Sequence, residues 1–150
     1  DSLRVYRTGD LEPLNIKTMP HPGFPTDMQP LMTVLLTLAK GTSIITEGIW
    51  ENRFRYVDEL TRMGANIQVD GRVAVIEGVQ ELLPAPMRAA DLRAGAALVV
   101  AALAADGVSE VDEICHIERG YEDIVEKLRG LGADIKRVEK PAGVLRQAAL

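Results

Sequence analysis

Two aspartates and three arginines stand next to predicted helix starts, where their side chains could move a proton or bind an anion. Asp27 follows a stiff Pro-Gly-Phe-Pro approach and precedes an apolar helix. Asp91 and Arg93 open a second apolar helix, and Arg53 and Arg119 each lie in a polar turn before an amphipathic helix. Helix N-termini carry free N–H groups and partial positive charge, which attract anions. Because a guanidinium binds carboxylate or phosphate as a planar fork, the pattern indicates an anionic ligand held by arginines, with Asp27 as proton acceptor.

A purely structural interpretation explains the same residues. Aspartate is a good N-cap because its oxygen accepts hydrogen bonds from the unpaired N–H groups of the first turn, so Asp27 and Asp91 could both be caps. The arginines could then pair with Glu51, Asp91 and Glu118. Arg93 is unusual in either case, because a cation in a first helical turn faces the positive end of the helix and calls for a compensating anion. The residue types alone favour the structural interpretation and leave the functional one open.

Length, charge and cysteine content limit the class of protein. The chain has 150 residues, the size of one domain, and a net charge of −5 without a basic block, which argues against nucleic acid as a partner. The longest apolar run, 94–105, is shorter than the roughly 20 residues that span a bilayer. Cys115 is the only cysteine, which fits a reducing, cytoplasmic compartment, and it is predicted to be buried at a strand end. His21 and His116 lack the spacing of metal ligands, so neither a metal nor a cofactor is predicted.

Two segments of the chain repeat each other, over residues of about 22–80 and 86–138. Asp27 corresponds to Asp91, Arg53 to Arg119 and Gly64 to Gly132. The offset grows by two residues from each pair to the next, as short loop insertions would produce. The sequence therefore predicts a duplicated unit.

Each unit has the pattern of a β-α-β-α-β-β arrangement. The predicted elements are apolar helices at 28–39 and 92–105, strands at 42–46 and 108–111, amphipathic helices at 54–63 and 121–131, and strands at 66–69 and 134–138. A further strand, 72–77, is predicted to form a hairpin through the Asp70-Gly71 turn. The first helix of each unit is apolar on nearly every face, which predicts an α/β fold with buried helices inside and sheets outside.

Several motifs carry a resemblance to a known family. In chain order these are Pro22-Gly23-Phe24-Pro25-Thr26-Asp27-Met28-Gln29, Glu51-Asn52-Arg53-Phe54, Arg62-Met63-Gly64-Ala65, Asp91-Leu92-Arg93-Ala94, Arg119-Gly120-Tyr121-Glu122 and Leu131-Gly132-Ala133-Asp134-Ile135. The chain resembles the C-terminal part of the UDP-N-acetylglucosamine enolpyruvyl transferases. The resemblance implies an inside-out α/β barrel of which residues 1–140 form about two of six units, in a partial C-terminal domain. The tail, 141–150, matches nothing in the family.

The resemblance also implies an activity and roles for individual residues. The family moves the enolpyruvyl group of phosphoenolpyruvate to the 3′-hydroxyl of UDP-N-acetylglucosamine, the first committed step of peptidoglycan synthesis. By resemblance, Asp27 is the general base on that hydroxyl and the backbone of Ile49 contacts the UDP-sugar. Arg93 and Arg119 hold the phosphoenolpyruvate anion and the tetrahedral intermediate, with Asp91 as an active-site aspartate beside them. Arg53 lies in a family motif but is assigned a structural role.

By resemblance, the family's catalytic cysteine lies in its other domain and its active-site lysine lies outside this span, so the isolated chain is expected to be inactive. Its first residues look like the middle of a strand, at Leu3 and Val5, which hints at a fragment. The expected partners are the two substrates, a missing N-terminal domain and a second copy of the chain, without nucleic acid or membrane. Two alternatives stay open: a non-catalytic binding module of the same fold, and a 5-enolpyruvylshikimate-3-phosphate synthase-like transferase.

Overall fold

A computed structural model of the chain describes residues 2–139. Within this range the mixed α/β content predicted from the sequence is confirmed. The strands are β1 (Asn15–Lys17), β2 (Thr42–Thr46), β3 (Asn66–Asp70), β4 (Val73–Glu77), β5 (Pro86–Arg88) and β6 (Glu110–Asp112). The helices are α1 (Gln29–Leu36), α2 (Val57–Arg62), α3 (Leu92–Ala104), α4 (Cys115–Glu118) and α5 (Ile124–Gly130), and a 3-10 turn, Thr26–Met28, precedes α1.

The first unit forms a four-stranded sheet in the order β1-β2-β4-β3. β1 runs parallel to β2, and the other neighbours are antiparallel. The predicted hairpin is confirmed, with Gly71 at a φ of 56° in the turn between β3 and β4. α1 is shorter than predicted, because the N–H groups of Leu38 and Ala39 bond three residues back, to Leu35 and Leu36, and so tighten the last turn.

The second unit is less regular than the first. Helix α3 has nearly its predicted length, but the predicted strand 108–111 forms only over Glu110–Asp112, where it pairs in parallel with β5. The predicted helix 121–131 shortens to α5, and α4 precedes it. The predicted strand 134–138 is wrong: within the described residues these have no strand partner, and an unpaired strand leaves its backbone groups unsatisfied. The strand expected at Leu3 and Val5 is also wrong, because both residues lie in irregular, exposed chain.

The core lies between the helices and the four-stranded sheet. α1 and α3 pack against each other, and Val34, Leu36 and Leu98 are buried between the layers with Ile45 and Ile76 of the sheet. The prediction that both helices are buried on every face is only partly correct. Leu35 on α1 and Val100 and Leu103 on α3 stay exposed within residues 2–139, so each helix keeps one uncovered apolar edge.

The contact between α3 and α4 depends on a glycine in the middle of α3. A side chain at Gly95 would place its first carbon 2.7 Å from Ile117 Cγ1 and 2.9 Å from Ala89 Cβ, closer than atoms in contact allow. Gly95 thus permits α4 to lie directly on α3. Cys115 opens α4 and is exposed, which corrects the prediction of a buried residue at a strand end. No helix in the described part of the chain is long and apolar enough to cross a membrane.

Candidate active site

Asp27 does not cap a helix. It lies inside the 3-10 turn, and neither that turn nor α1 receives a hydrogen bond from a capping side chain. Its carboxylate is instead 54% exposed and faces two arginines. Oδ1 accepts a hydrogen bond from Arg53 Nη2 at 3.1 Å, and Oδ2 accepts one from Arg93 Nη2 at 2.9 Å. The capping prediction for Asp27 is therefore wrong, and the side chain is free of the backbone.

Asp91, the matching residue of the second unit, is a true N-cap. Its Oδ1 accepts hydrogen bonds from the backbone N–H groups of Arg93 at 2.9 Å and Ala94 at 2.8 Å, which satisfies two donors of the first turn of α3. The prediction that Asp91 caps its helix is confirmed. The two aspartates therefore occupy matching positions in the duplication but have different partners: Asp91 caps a helix, and Asp27 binds two arginines.

Arg93 joins the two units. Its backbone N–H is held by Asp91, and its guanidinium crosses to Asp27, which precedes the first helix of the other unit. This confirms that an arginine in a first helical turn takes an anionic partner. Because α1 and α3 pack together and Asp27 bonds to Arg93, both helices begin on the same side of the molecule. Their positive ends therefore converge near this cluster.

Arg53 is more deeply placed than the sequence suggests. Its side chain is only 16% exposed, and besides Asp27 its Nη2 lies 3.4 Å from the carbonyl oxygen of Thr26. Its Nε is buried and makes no hydrogen bond with the described residues. Arg53 thus fixes the turn and the Asp27 carboxylate together. Its position before the second helix of the unit, matching Arg119, was the available signal in the sequence.

Within residues 2–139, neither Arg119 nor Ile49 forms a hydrogen bond or ion pair with Asp27. Arg119 follows α4 and is exposed, and within residues 2–139 no hydrogen bond or ion pair joins its guanidinium to Asp27 or to another residue. Ile49 lies in the loop after β2 and is 37% exposed. The predicted pairings of arginines with Glu51 and Glu118 are wrong for Arg53 and Arg119. Those acids pair with other arginines of the chain, at 3.2 Å with Arg72 and at 2.6 Å with Arg137.

Glu47 is a buried carboxylate that the sequence analysis missed. It follows β2 directly and is 1% exposed. Burial pushes its pKa upward, but hydrogen bonds from the Thr18 hydroxyl, the N–H groups of Ile49 and Trp50, and the Thr26 hydroxyl together outweigh burial and lower its pKa below the ordinary value. The sequence signal that could have revealed this buried carboxylate is a glutamate directly after a β-branched run.

The other polar features make no hydrogen bond to Asp27. Tyr56 is buried, with its hydroxyl oxygen 2.8 Å from Thr33 Oγ1 and 3.2 Å from Gln29 Oε1, and burial raises its pKa. A surface cavity of about 380 Å³ between α2 and β3 includes neither Asp27 nor Arg93 in its lining. Among the residues that the structure describes, no group of three histidine, cysteine or acidic side chains could hold a metal ion.

Comparison with known proteins gives consistent results for sequence and structure. The model of the EPSP synthase family, 3-phosphoshikimate 1-carboxyvinyltransferase, matches residues 1–128. UDP-N-acetylglucosamine 1-carboxyvinyltransferase 3 of Caldanaerobacter subterraneus is 57% identical over 140 residues, which is 93% of this chain and 34% of the relative. UDP-N-acetylglucosamine 1-carboxyvinyltransferase 2 of Carboxydothermus hydrogenoformans is 59% identical over 138 residues, 92% of this chain and 33% of the relative.

Solved structures agree with the sequence relatives. The enolpyruvyl transferase NikO from Streptomyces tendae has a TM-score of 0.80 and 39% identity, covering 87% of this chain and 30% of that structure. EPSP synthase from Acinetobacter baumannii has a TM-score of 0.60 at 24% identity, over 85% of this chain and 29% of that structure, and supports the fold alone. The chain spans about a third of the length of the Caldanaerobacter and Carboxydothermus relatives.

Proposed function

Because the chain belongs to the EPSP synthase family of carboxyvinyltransferases, we propose that it is part of an enzyme that transfers an enolpyruvyl group from phosphoenolpyruvate to UDP-N-acetylglucosamine. The choice of acceptor is supported by relatives at 55% to 59% identity that carry this name. A shikimate-type acceptor is less well supported, since the EPSP synthase structures are only 24% and 25% identical. On this proposal the chain contributes to peptidoglycan precursor synthesis, a cytoplasmic process.

The observation that carries the proposal is the exposed carboxylate of Asp27 between two guanidinium groups from both units. A carboxylate has about four lone-pair sites, and the arginines use one on each oxygen. Sites remain on both oxygens to accept a hydrogen bond from an acceptor hydroxyl. Asp27 takes the hydroxyl proton while the oxygen bonds to C2 of phosphoenolpyruvate and a proton adds to C3. Loss of phosphate and a C3 proton then restores the double bond on the product.

The arginines and the converging helix ends provide for the negative charge of the substrates. Arg93 is 41% exposed, so part of its guanidinium can face a bound anion while Nη2 holds Asp27. Arg119 is exposed, and in our proposal a phosphoenolpyruvate anion lies between it and Arg93. Fixed cations stabilise developing charge best when their positions are set beforehand, and the cap at Asp91 sets the start of α3. The backbone of Ile49 contacts the UDP-sugar.

The remaining catalytic groups belong to parts of the protein outside this chain. The chain has about a third of the length of its relatives. In our proposal residues 1–140 form part of a C-terminal domain. The exposed apolar edges at Leu35, Val100 and Leu103 support a missing neighbour, either the rest of the domain or a second copy of the chain. We expect the isolated chain to release no phosphate from the two substrates.

A chimaera tests the proposal directly. This chain replaces the matching 138-residue segment of the Carboxydothermus hydrogenoformans relative, and phosphate release is measured with phosphoenolpyruvate and either UDP-N-acetylglucosamine or shikimate 3-phosphate. Turnover is expected with the UDP-sugar alone. Asp27→Asn should lower kcat by about a hundredfold or more, since general-base catalysis contributes that much, and should leave the fold intact. Turnover with shikimate 3-phosphate alone, or an Asp27→Asn chimaera of normal activity, would refute the acceptor or the base respectively.

A further inference from the structure

Glu47 is the only buried acidic side chain within residues 2–139, and the proposed chemistry does not use it. It follows the last residue of β2 and lies beside Thr18, which follows β1. Taking a carboxylate out of water is costly unless it is hydrogen-bonded, and a buried residue without charge would avoid that cost. The presence of an ionised group here therefore calls for an explanation beyond packing.

The two oxygens of Glu47 hold two different pieces of the candidate site. Oε1 accepts from the N–H groups of Ile49 at 2.9 Å and Trp50 at 3.1 Å, which fixes the loop proposed to contact the UDP-sugar. Oε2 accepts from the Thr26 hydroxyl at 3.0 Å, next to Asp27. A single carboxylate thus links the sugar-binding loop to the turn that carries the base.

A third contact fixes the carboxylate itself. The Thr18 hydroxyl donates to Glu47 Oε1 at 2.7 Å and accepts from the Gly48 N–H at 2.7 Å. A side chain at Gly48 would come within 2.5 Å of the Thr18 carbonyl oxygen, so the backbone cannot shift here without losing this packing. Hydrogen bonds to an ionised acceptor are about twice as strong as neutral ones, and this one has four donors. The link is therefore stiff at both ends.

We propose that Glu47 is a positioning residue that sets the distance between the base Asp27 and the backbone of Ile49, and so aligns the acceptor hydroxyl with the base. It touches neither substrate and acts through Thr26 on one side and through the loop on the other. The inference rests on the proposed function, because it requires that Asp27 and Ile49 meet the same sugar.

The kinetic test uses the active chimaera with three single variants. Glu47→Ala removes both contacts, and we expect kcat to fall about tenfold and KM for UDP-N-acetylglucosamine to rise about fivefold, the effect of losing one or two hydrogen bonds. KM for phosphoenolpyruvate should stay unchanged, because Glu47 contacts neither Arg93 nor Arg119. Glu47→Gln should restore most of the loss, since the amide oxygen can take the Oε1 donors and the Thr26 hydroxyl can accept instead of donate.

Ser43→Ala is the matched structural control. Ser43 is also buried, lies near the start of β2, at the end of the strand away from Glu47, and accepts a hydrogen bond from the Leu14 N–H at 3.2 Å. Its loss should lower the melting temperature and leave both KM values and kcat per folded enzyme unchanged. Glu47→Ala kinetics equal to those of Ser43→Ala would mean that Glu47 only supports the fold, and would overturn the proposal.

A double-mutant cycle separates the two arms of the link. Thr26→Val removes the hydroxyl that Oε2 holds, and it should lower kcat without changing KM for the UDP-sugar. In the double variant with Glu47→Ala, kcat should be no lower than in Glu47→Ala alone, because both substitutions remove the same hydrogen bond between Thr26 and Glu47. Additive losses in kcat would show that Glu47 does not act through Thr26.

A measurement on the 150-residue chain keeps this test separate from the test of the function. In amide NMR spectra, Glu47→Ala should shift the Ile49 and Trp50 resonances upfield and speed their exchange with water, whereas Ser43→Ala should not. Unchanged amides would refute the link even if the chimaera is active. Shifted amides with an inactive wild-type chimaera would refute the proposed function and leave the link standing.

Discussion

Substituting Gly95 by alanine should destabilise the chain, although alanine is the better helix former. Gly95 lies inside α3, where exchanging glycine for alanine ordinarily gains about 1 kcal/mol. Here the new carbon would lie 2.7 Å from Ile117 Cγ1, 2.9 Å from Ala89 Cβ and 3.1 Å from Ile117 Cδ1. Ala89 has only one side-chain carbon, so it can yield only by moving its backbone. Ile117 is buried, so it must leave its rotamer or lift α4.

The expected loss in the free energy of unfolding of Gly95→Ala is the cost of overpacking minus the gain in helix propensity. Overpacking of this kind costs about 1 to 3 kcal/mol, so the net loss after the helix gain is about 1 kcal/mol. Gly130 provides a matched control, because it is also helical, in α5, and has nothing within 4 Å of a side-chain carbon. Gly130→Ala should gain a few tenths to about 1 kcal/mol. The two variants should therefore differ by about 1.5 to 2 kcal/mol.

Urea and thermal unfolding of the 150-residue chain, followed by circular dichroism, measure this difference. For a chain of this size, about 1 kcal/mol corresponds to a shift of roughly 2 to 4 °C in Tm. We expect Gly95→Ala to melt below the wild type and Gly130→Ala above it. If Gly95→Ala were as stable as Gly130→Ala, the close packing of α3 on α4 would be refuted. In the active chimaera, Gly95→Ala should also weaken phosphoenolpyruvate binding, because Arg119 follows α4 directly.

Three further predictions follow from single side chains. In urea unfolding, Asp91→Ala should lower the free energy of unfolding by about 1 kcal/mol, because it removes the N-cap of α3. Asp91→Asn should lower it by only a few tenths of a kcal/mol, because asparagine also caps helices. Equal losses in the two variants would contradict the cap. The pKa of Glu47 is lower in the folded than in the unfolded chain, so the stability that its charge adds is present above pH of about 4.5 and is lost as pH falls. The free energy of unfolding of Glu47→Gln should therefore fall less steeply below pH of about 4.5 than that of the wild type. Equal pH dependence of the two proteins would contradict this. Because burial raises the pKa of Tyr56, the folded chain keeps the phenol proton above pH of about 10 and the unfolded chain releases it, which lowers the free energy of unfolding as pH rises. Tyr56→Phe should show a smaller loss of stability above pH of about 10. Equal losses in the variant and the wild type would contradict this.

Local signals in the sequence predicted the regular parts of the fold. β2, the hairpin turn at Asp70-Gly71 and the start of α3 at Asp91 occur where β-branched runs, turn residues and a capping residue placed them. The strand predicted at 134–138 failed because a strand needs a partner, and a pattern read along one segment cannot supply one. The shortened α1 likewise depends on how its last turn meets the rest of the molecule.

The candidate site was harder to predict from the sequence, since its contacts join distant residues. The charge pattern around Arg93 indicated a missing anion, but 66 residues separate it from Asp27, and only the packing of α1 on α3 brings them together. The resemblance supplied the roles proposed for Asp27 and Arg93. Glu47 escaped notice because its burial results from the way that Thr18, Thr26 and the following loop surround it.

The small sheet of the second unit has a consequence for local opening. β5 and β6 pair over three residues each, and within residues 2–139 no third strand joins them, whereas β2 and β4 pair over five residues inside a four-stranded sheet. A two-stranded pair is marginally stable on its own, so amide hydrogens of β5 and β6 should exchange through openings of lower free energy than those of β2 and β4. Asp27 is joined through Thr26 and Glu47 to the sheet expected to open at the higher free energy, whereas Arg119 follows α4, beyond the pair expected to open at the lower one.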